Sequence, residues 1–324
     1  MFSIEKYNDS HKLLWNKFIA KAKNATFLFR RDFMDYHQDK FDDFSLLVFK
    51  NKVLIAVLPA NRIDDVVFSH QGLTYGGLVL SETVKFQDVL HAYQSILKFL
   101  SKQNIIELEV KMLPKIYHTL PSDEIDYLLF KTRAVLTRTD VTSVIDSKNK
   151  LRIDSSNRKR GLKRAKKQSL LVLETSNFEN FWNEILIPNL KVTHSVKPVH
   201  SLKEIILLKS NFPINIRQFN VYNNDKIVAG ATVFETLHVA HVQYISANKD
   251  KQHLGSLDIL FDFLINNIFM TKKYFDFGVS NENNGQNINE GLLSWKESFG
   301  ARVIAQEFYR IKTKNYVELN SVLL

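Results

Sequence analysis

Residues Tyr274–Arg302 read YFDFGVSNENNGQNINEGLLSWKESFGAR, and the pattern changes twice along them. A short apolar and aromatic run of buried-strand type ends at Gly278, and a polar, asparagine-rich loop follows. Leu292, Leu293, Trp295 and Phe299 then recur at helical spacing until Gly300 closes the segment. Strand, loop and helix in this order belong to an α/β protein, where a loop leaving the carboxyl end of a strand commonly carries chemistry. Asp276 and Lys296 are the two charges nearest its working surfaces. An ordinary strand-to-helix connection shares this pattern, so the decision rests with the rest of the chain.

The chain has 324 residues, 45% hydrophobic and 12% aromatic, which suffices for two domains with their own cores and excludes a disordered protein. It contains no cysteine, which excludes disulfides, thiolate zinc sites and a cysteine nucleophile and fits a cytoplasmic setting. The opening MFSIEKYNDS lacks the basic and apolar blocks of a signal peptide, and no apolar run approaches the ~20 residues of a membrane span. A soluble, unexported protein without a transmembrane segment is expected.

The net charge of +10 is concentrated. Ten Lys or Arg fall between Lys148 and Gln168 against one acid, Asp154, so the remainder is close to neutral. Ser155 or Ser156 is positioned to start a helix through Lys167, with Leu162 and Ala165 as a thin apolar line and Arg160, Lys163, Arg164 and Lys167 on one face. Like charges at this spacing oppose a helix by about 0.2–0.5 kcal/mol per pair. An anionic partner is therefore expected, with phosphate the leading chemistry: that of a nucleic acid, a nucleotide-linked substrate or a lipid headgroup. A solvated linker is the alternative.

Asp9 or Ser10 can cap a first helix whose apolar face is Leu14, Trp15, Phe18 and Ala22. Phe44–Phe49 and Val53–Leu58 form a hairpin about a polar turn at 50–52. The loop SHQGLTYGG (69–77) has three glycines that would let backbone approach a ligand closely, with His70, Thr74 and Tyr75 as polar tips; a tight turn over a wedged tyrosine is the plainer alternative. Val84–Leu100 is an amphipathic helix and Ile105–Val110 a strand. After the basic segment, a helix carrying Phe178, Phe181 and Trp182 is expected to stop near Pro188. The polar loop from His194 to His200 leads into SLKE (201–204), a capping box with His200 beside it. A second hairpin turns at 223–225, Val239–Ile245 adds a strand, and Leu254–Phe269 is a helix.

Hairpin, loop, helix and strand thus occur twice, with Asn51 and Asn224 at equivalent turns and Ile105 and Tyr274 at equivalent strands. The expected organisation is two related domains of mixed α/β sheets, 1–147 and 148–324, the second beginning with the basic helical connector.

Four pieces, SHQGLTYGG (69–77), SSNRKRGLKRA (155–165), KPVHSLKEI (197–205) and YFDFG through WKESFG (274–300), resemble the Fem-type branch of the GNAT acyltransferase superfamily, the tandem-GNAT peptidyltransferases and their relatives. The resemblance implies two tandem GNAT-like domains and transfer of an acyl or aminoacyl group, from acyl-CoA or aminoacyl-tRNA, onto an amine of a cell-envelope or nucleotide-sugar precursor. It places Lys296 near the donor or the reacting carbonyl, where a cation stabilises the growing oxyanion. CoA-binding GNAT proteins carry R-x-x-G-x-G/A at the start of the helix that holds the pyrophosphate. Here Gln252, Gly255 and Ser256 are the donor-binding candidates, with Gln252 in the arginine's place and Leu257 in that of the last small residue.

His70, Tyr75 and His200 are candidates for the acceptor, and Arg160, Lys163 and Arg164 for its phosphates; no metal is called for. The acceptor is expected to be a phosphate-bearing small molecule or lipid-linked, with tRNA and the inner membrane face as further partners. Asp276 is assigned a structural role at the strand end. A catalytically inactive module that binds nucleic acid or anionic membrane through the basic helix is the alternative.

Overall fold

The computed structural model describes residues 1–153, 155–194 and 196–323. Asp154, the one acid of the basic segment, and Ser195 of the polar loop lie outside the described residues. The chain forms two compact units, Met1–Asp140 with Asn284–Gln286 and Ala305–Leu324, and Val141–Asn283 with Asn287–Ile304. These differ from the expected limits 1–147 and 148–324 mainly in the last twenty residues, which belong to the first unit. Burial explains the return: Ile311 and Leu319 complete the first unit's core against Val89, Tyr93, Ile96 and Leu97 of the helix Phe86–Lys102.

In the first unit, Leu46–Lys50 and Val53–Leu58 form the expected hairpin. Its two-residue turn, Asn51 and Lys52, has φ of 50° and 70°, the twist that a tight hairpin demands. Phe2–Lys6 and Val79–Leu80 flank the pair to give a four-stranded sheet. A second group of strands has Glu107–Lys111 at its centre, parallel to Val66–Phe68 and antiparallel to Phe308–Lys312. The first helix is Lys12–Ile19, entered through a short 3₁₀ turn that Asn8, rather than Asp9 or Ser10, caps.

The second unit's sheet runs Leu171–Thr175, Ile216–Asn223, Lys226–Glu235, Val239–Ala247, Tyr274–Val279 and then the latter part of Val135–Asp146. Neighbours are antiparallel except Val239–Ala247 and Tyr274–Val279. That parallel pair requires a crossover. Lys251–Leu254, Ser256–Phe263 and the π-helical turn Leu264–Ile268 provide it. Pairing between the two strands is confined to Val239–Tyr274, Ala240–Phe275 and His241–Asp276, beyond which they part.

Alternation along Tyr274–Val279 sends Phe275 and Phe277 to the face that packs on Phe261, and Asp276 to the other. Trp295 and Phe299 of the following segment close over the same cluster, their ring centroids 5.1 Å apart. A bulge at Gln243, between the pairs Val233–Val242 and Thr232–Tyr244, shifts the facing of the residues beyond it. The helix at Phe181 does not stop near Pro188. A π-helical turn, Phe181–Leu186, precedes an α-helix Ile187–His194 that contains the proline, and the widened turn accommodates a residue without an N–H.

Leu319→Ala is expected to cost the first unit roughly 2–4 kcal/mol. Hydrogen exchange should then accelerate across Phe86–Lys102 while Ser256–Phe263 keeps its protection.

Candidate active site

Asn289 caps the helix Glu290–Glu297, its side chain accepting from the Leu292 amide at 2.9 Å. One turn later Lys296 points inward and is 3% exposed. Its ammonium spends all three protons on the end of the preceding strand, donating to Gly278 O at 2.8 Å, Val279 O at 2.7 Å and Ser280 Oγ at 3.0 Å. Burial pulls its pKa down to about 8, opposed by the negative charge of Asp276.

Asp276 is 2% exposed and fully engaged. Its Oδ1 accepts from the Thr142 hydroxyl and from the Gly278 amide at 2.8 Å, and its Oδ2 meets His241 Nδ1 at 2.9 Å. Gly278 takes φ of 75° in this turn, where a side chain is disfavoured, and a Cβ would stand 3.4 Å from His241 Cε1.

Beyond the point where the strands part, a cavity of about 540 Å³ is lined by Ile245, Ser246 and Ala247 on one strand, Gln252 and Leu257 at the start of the crossover helices, and Trp295. Asn189 reaches in to donate to Ser246 Oγ at 2.9 Å. The basic helix, Ser156–Lys167 capped by Ser155, packs on the crossover through Gly161 and Ala165, not through Leu162 and Ala165 as expected. Contact is close because both faces lack side chains: a Cβ on Gly255 would lie 2.2 Å from Gly161 O, and one on Gly161 would lie 2.0 Å from Asp258 Oδ2.

Arg158 Nη1 lies 2.6 Å from Asp258 Oδ1 without hydrogen-bond alignment, so that oxygen and Arg158 Nε remain buried and unsatisfied, as does Ser256 Oγ. Burial raises the Asp258 pKa against the pull of Arg158 and Arg164. Arg164 donates to Gln252 O at 2.8 Å, so it tethers the two helices from an exposed position. Arg160, bonded to Asn157 at 2.6 Å, and Lys163 face solvent. The protein itself thus supplies part of the partner that the charged segment was expected to need.

In the first unit, the glycine-rich loop approaches protein rather than open space. A Cβ on Gly72 would strike His37 Nε2 at 2.2 Å, and one on Gly76 would strike Ser69 O at 1.9 Å. Tyr75 is buried and donates to Thr26 Oγ1 at 3.0 Å. His70 is buried at φ of 65° with Nδ1 unpartnered, and burial followed by the charge of His37 lowers its pKa to about 3. It borders a cavity of about 430 Å³ with Lys111, Arg138 and Phe308. Lys111 carried no signal in sequence; burial, with the charge of Arg138 adding to it, lowers its pKa to about 8.

His200 is buried beside the confirmed Ser201–Glu204 capping box, its Nδ1 2.6 Å from the hydroxyl of Tyr244. The structure therefore brings Gln252 and Arg164 to one cavity, buries Ser256 outside its lining, sets Lys296 beside Asp276, and leaves His70 and Tyr75 in the other unit. His241 was missed. The signal available was a histidine between Ala240 and Val242, in the strand that precedes the crossover helix.

No protein-family model matches the chain, and no curated protein does. Among solved structures it is similar to FemX, at TM-score 0.66 and 9% identity over 98% of this chain and 99% of that one. It is also similar to the C-terminal domain of a putative lysylphosphatidylglycerol synthetase from Agrobacterium fabrum, at 0.59 and 10% over 94% and 92%. A tandem GNAT protein from the clavulanic acid biosynthesis pathway aligns at 0.51 and 8% over 97% and 99%. The chain has a Fem-like, tandem GNAT fold; identities this low speak to fold and not to activity or substrate. Among the described residues no helix is long and apolar enough to cross a membrane, and no group of His, Cys, Asp and Glu is placed to hold a metal ion.

The lowered pKa of Lys296 sets a stability window. An unfolded lysine titrates near 10.5, so between about pH 8 and that value the unfolded chain holds the extra proton, and stability rises with pH across the window. Urea denaturation of wild type at about pH 7 and about pH 10 should show this gain, and Lys296→Met should lack a component of roughly 2–3 kcal/mol.

Proposed function

We propose that the chain is an acyl- or aminoacyltransferase whose chemistry lies in the second unit, between the cavity and the apex where the two parallel strands part. The cavity carries this reading: it lies alongside the open edges of Ile245–Ala247, at the start of the crossover helices, within an acyltransferase fold. A donor laid along that strand would have its unpaired backbone groups for company. Transfer then needs little besides positioning and charge stabilisation, as the acceptor amine attacks the donor carbonyl directly. Lys296 supplies the nearby cation and braces the turn at Gly278.

For the donor, aminoacyl-tRNA is favoured over acyl-CoA. Gly161 O occupies the approach to Gly255, and Asp258 puts a carboxyl in the first turn where a pyrophosphate would have to sit. Arg160 and Lys163, exposed on the far side of the basic helix, are free to face phosphates of a long anionic donor. The acceptor is an amine on a phosphate-bearing or lipid-linked cell-envelope or nucleotide-sugar precursor; a putative lysylphosphatidylglycerol synthetase among the similar structures supports the lipid-linked class. The exposed basic face also fits an inactive module that binds nucleic acid or anionic membrane.

Thermal-shift titrations separate these. A ligand at 100 times its Kd adds about 2.7 kcal/mol of stability. Charged tRNA is expected to raise the midpoint and acetyl-CoA to leave it unchanged; the reverse result overturns the donor choice. Gly291→Phe should abolish the shift, because Gly291 lines the cavity and a Cβ there meets only Asn289 Oδ1, at 3.7 Å, which leaves room for a ring beside the ligand's place. A tRNA shift that survives this substitution and disappears with salt favours the inactive module.

A further inference from the structure

We infer that His241 is the base that frees the acceptor amine, with Asp276 and Thr142 as the residues that orient it; this rests on the transferase function proposed above. His241 and Asp276 are the last paired residues before the two parallel strands separate, so the dyad sits where they begin to part; one of the strands runs on through Ile245–Ala247 into the lining of the cavity, which the dyad itself does not line. Its geometry is that of a held imidazole. Asp276 accepts at 2.9 Å from Nδ1, and its other oxygen is anchored by Thr142 and the Gly278 amide, so the carboxylate cannot turn away. In the neutral ring the proton therefore resides on Nδ1 and the lone pair on Nε2.

The His241 side chain keeps 12% of its surface exposed whereas that of Asp276 keeps 3%, so the ring is reached from outside through the end that Asp276 does not hold. Packing alone gives no reason to bury a carboxylate under a histidine that keeps a small opening to solvent, because its oxygens must then be satisfied by three separate donors. Lys296 joins the same assembly from the far side, since its bond to Gly278 O fixes the turn whose amide holds Asp276. Lys296 is in this respect a positioning residue.

The step balances without a co-reactant. Nε2 takes the proton that masks the lone pair of the acceptor's ammonium group and passes it to water. The freed nitrogen bonds to the donor carbonyl carbon, the bond from that carbon to the ester oxygen or thioester sulfur breaks, and the second N–H proton leaves on that oxygen or sulfur.

Two measurements test this. Nitrogen-15 NMR of the whole chain should find neutral His241 as the Nδ1–H tautomer, converting in Asp276→Asn; an Nε2–H tautomer in wild type overturns the dyad whatever the activity. Transfer from charged tRNA, and in parallel from acetyl-CoA, is then followed to glycinamide, an ordinary amine, and to hydroxylamine, which is unprotonated at neutral pH. His241→Asn, whose amide can keep the bond to Asp276, is expected to lose about 100-fold or more in kcat with glycinamide, at little change in KM, and far less with hydroxylamine. Equal loss with both acceptors assigns His241 a structural role, and no loss removes it from the mechanism; His241→Gln serves if the first variant does not fold. Wild type that transfers to neither amine from either donor overturns the transferase function, and the tautomer result then decides the dyad by itself.

Discussion

A buried carboxylate has to be satisfied, and in the second unit Asp276 meets that demand with Thr142, the Gly278 amide and His241, drawn from three neighbouring strands. The same residue marks where Val239–Ala247 and Tyr274–Val279 cease to pair. These two facts are one constraint. Oδ1 turns back on the Gly278 amide, a turn possible because Gly278 adopts positive φ, and the strand is led away from its parallel neighbour. Lys296 holds the departing segment by three bonds. The opening in the sheet, and with it the cavity, follows from how one charge is paid off in hydrogen bonds.

The concentrated positive charge has two faces with different duties. Toward the protein, glycine at 161 and alanine at 165 permit a helix–helix approach that no longer side chain would allow, and Arg158 meets Asp258 there. Toward solvent, Arg160, Lys163, Lys166 and Lys167 remain exposed. Such a helix is strained by like charges along its length, and its docked face holds it in place while the other remains charged for a partner. Arg164 belongs to both, exposed yet tied to Gln252 O.

Much of this was legible in sequence because it is local. The buried-strand run ahead of Gly278, the helical spacing that begins at Leu292, the capping box at Ser201–Glu204 and the turns at Asn51 and Asn224 each depend on residues a few positions apart, and each has its element there, although the strand runs on to Val279 and the helix ends at Glu297, before Phe299. What escaped depends on distance. His241 is 35 residues from Asp276, and Thr142 is 134 away, so neither announces the other. Gly161 gives no apolar signal: among the seven basic residues of Ser156–Lys167, an absent side chain draws less notice than Leu162. Pro188 was read as a stop because a π-helical turn leaves no mark in hydrophobic periodicity. The return of the last strand to the first unit is likewise a matter of which core Ile311 and Leu319 complete.

Fold likeness and local chemistry therefore bear on different questions here. The FemX-like architecture extends over nearly the whole chain, while identity is 9%, so the likeness carries the fold alone. What it leaves open is the identity of the groups at the mouth and at the apex of the wedge between the two parallel strands. At the mouth this chain places a carboxyl and a backbone carbonyl where a diphosphate would need donors. At the apex it places an imidazole whose orientation is set by three strands rather than by a flexible loop. Under the function proposed above, a site that disfavours a compact anion at one end and holds a largely buried histidine at the other would serve the amine and the carbonyl it meets, with the donor's phosphates left to the outer face of the basic helix.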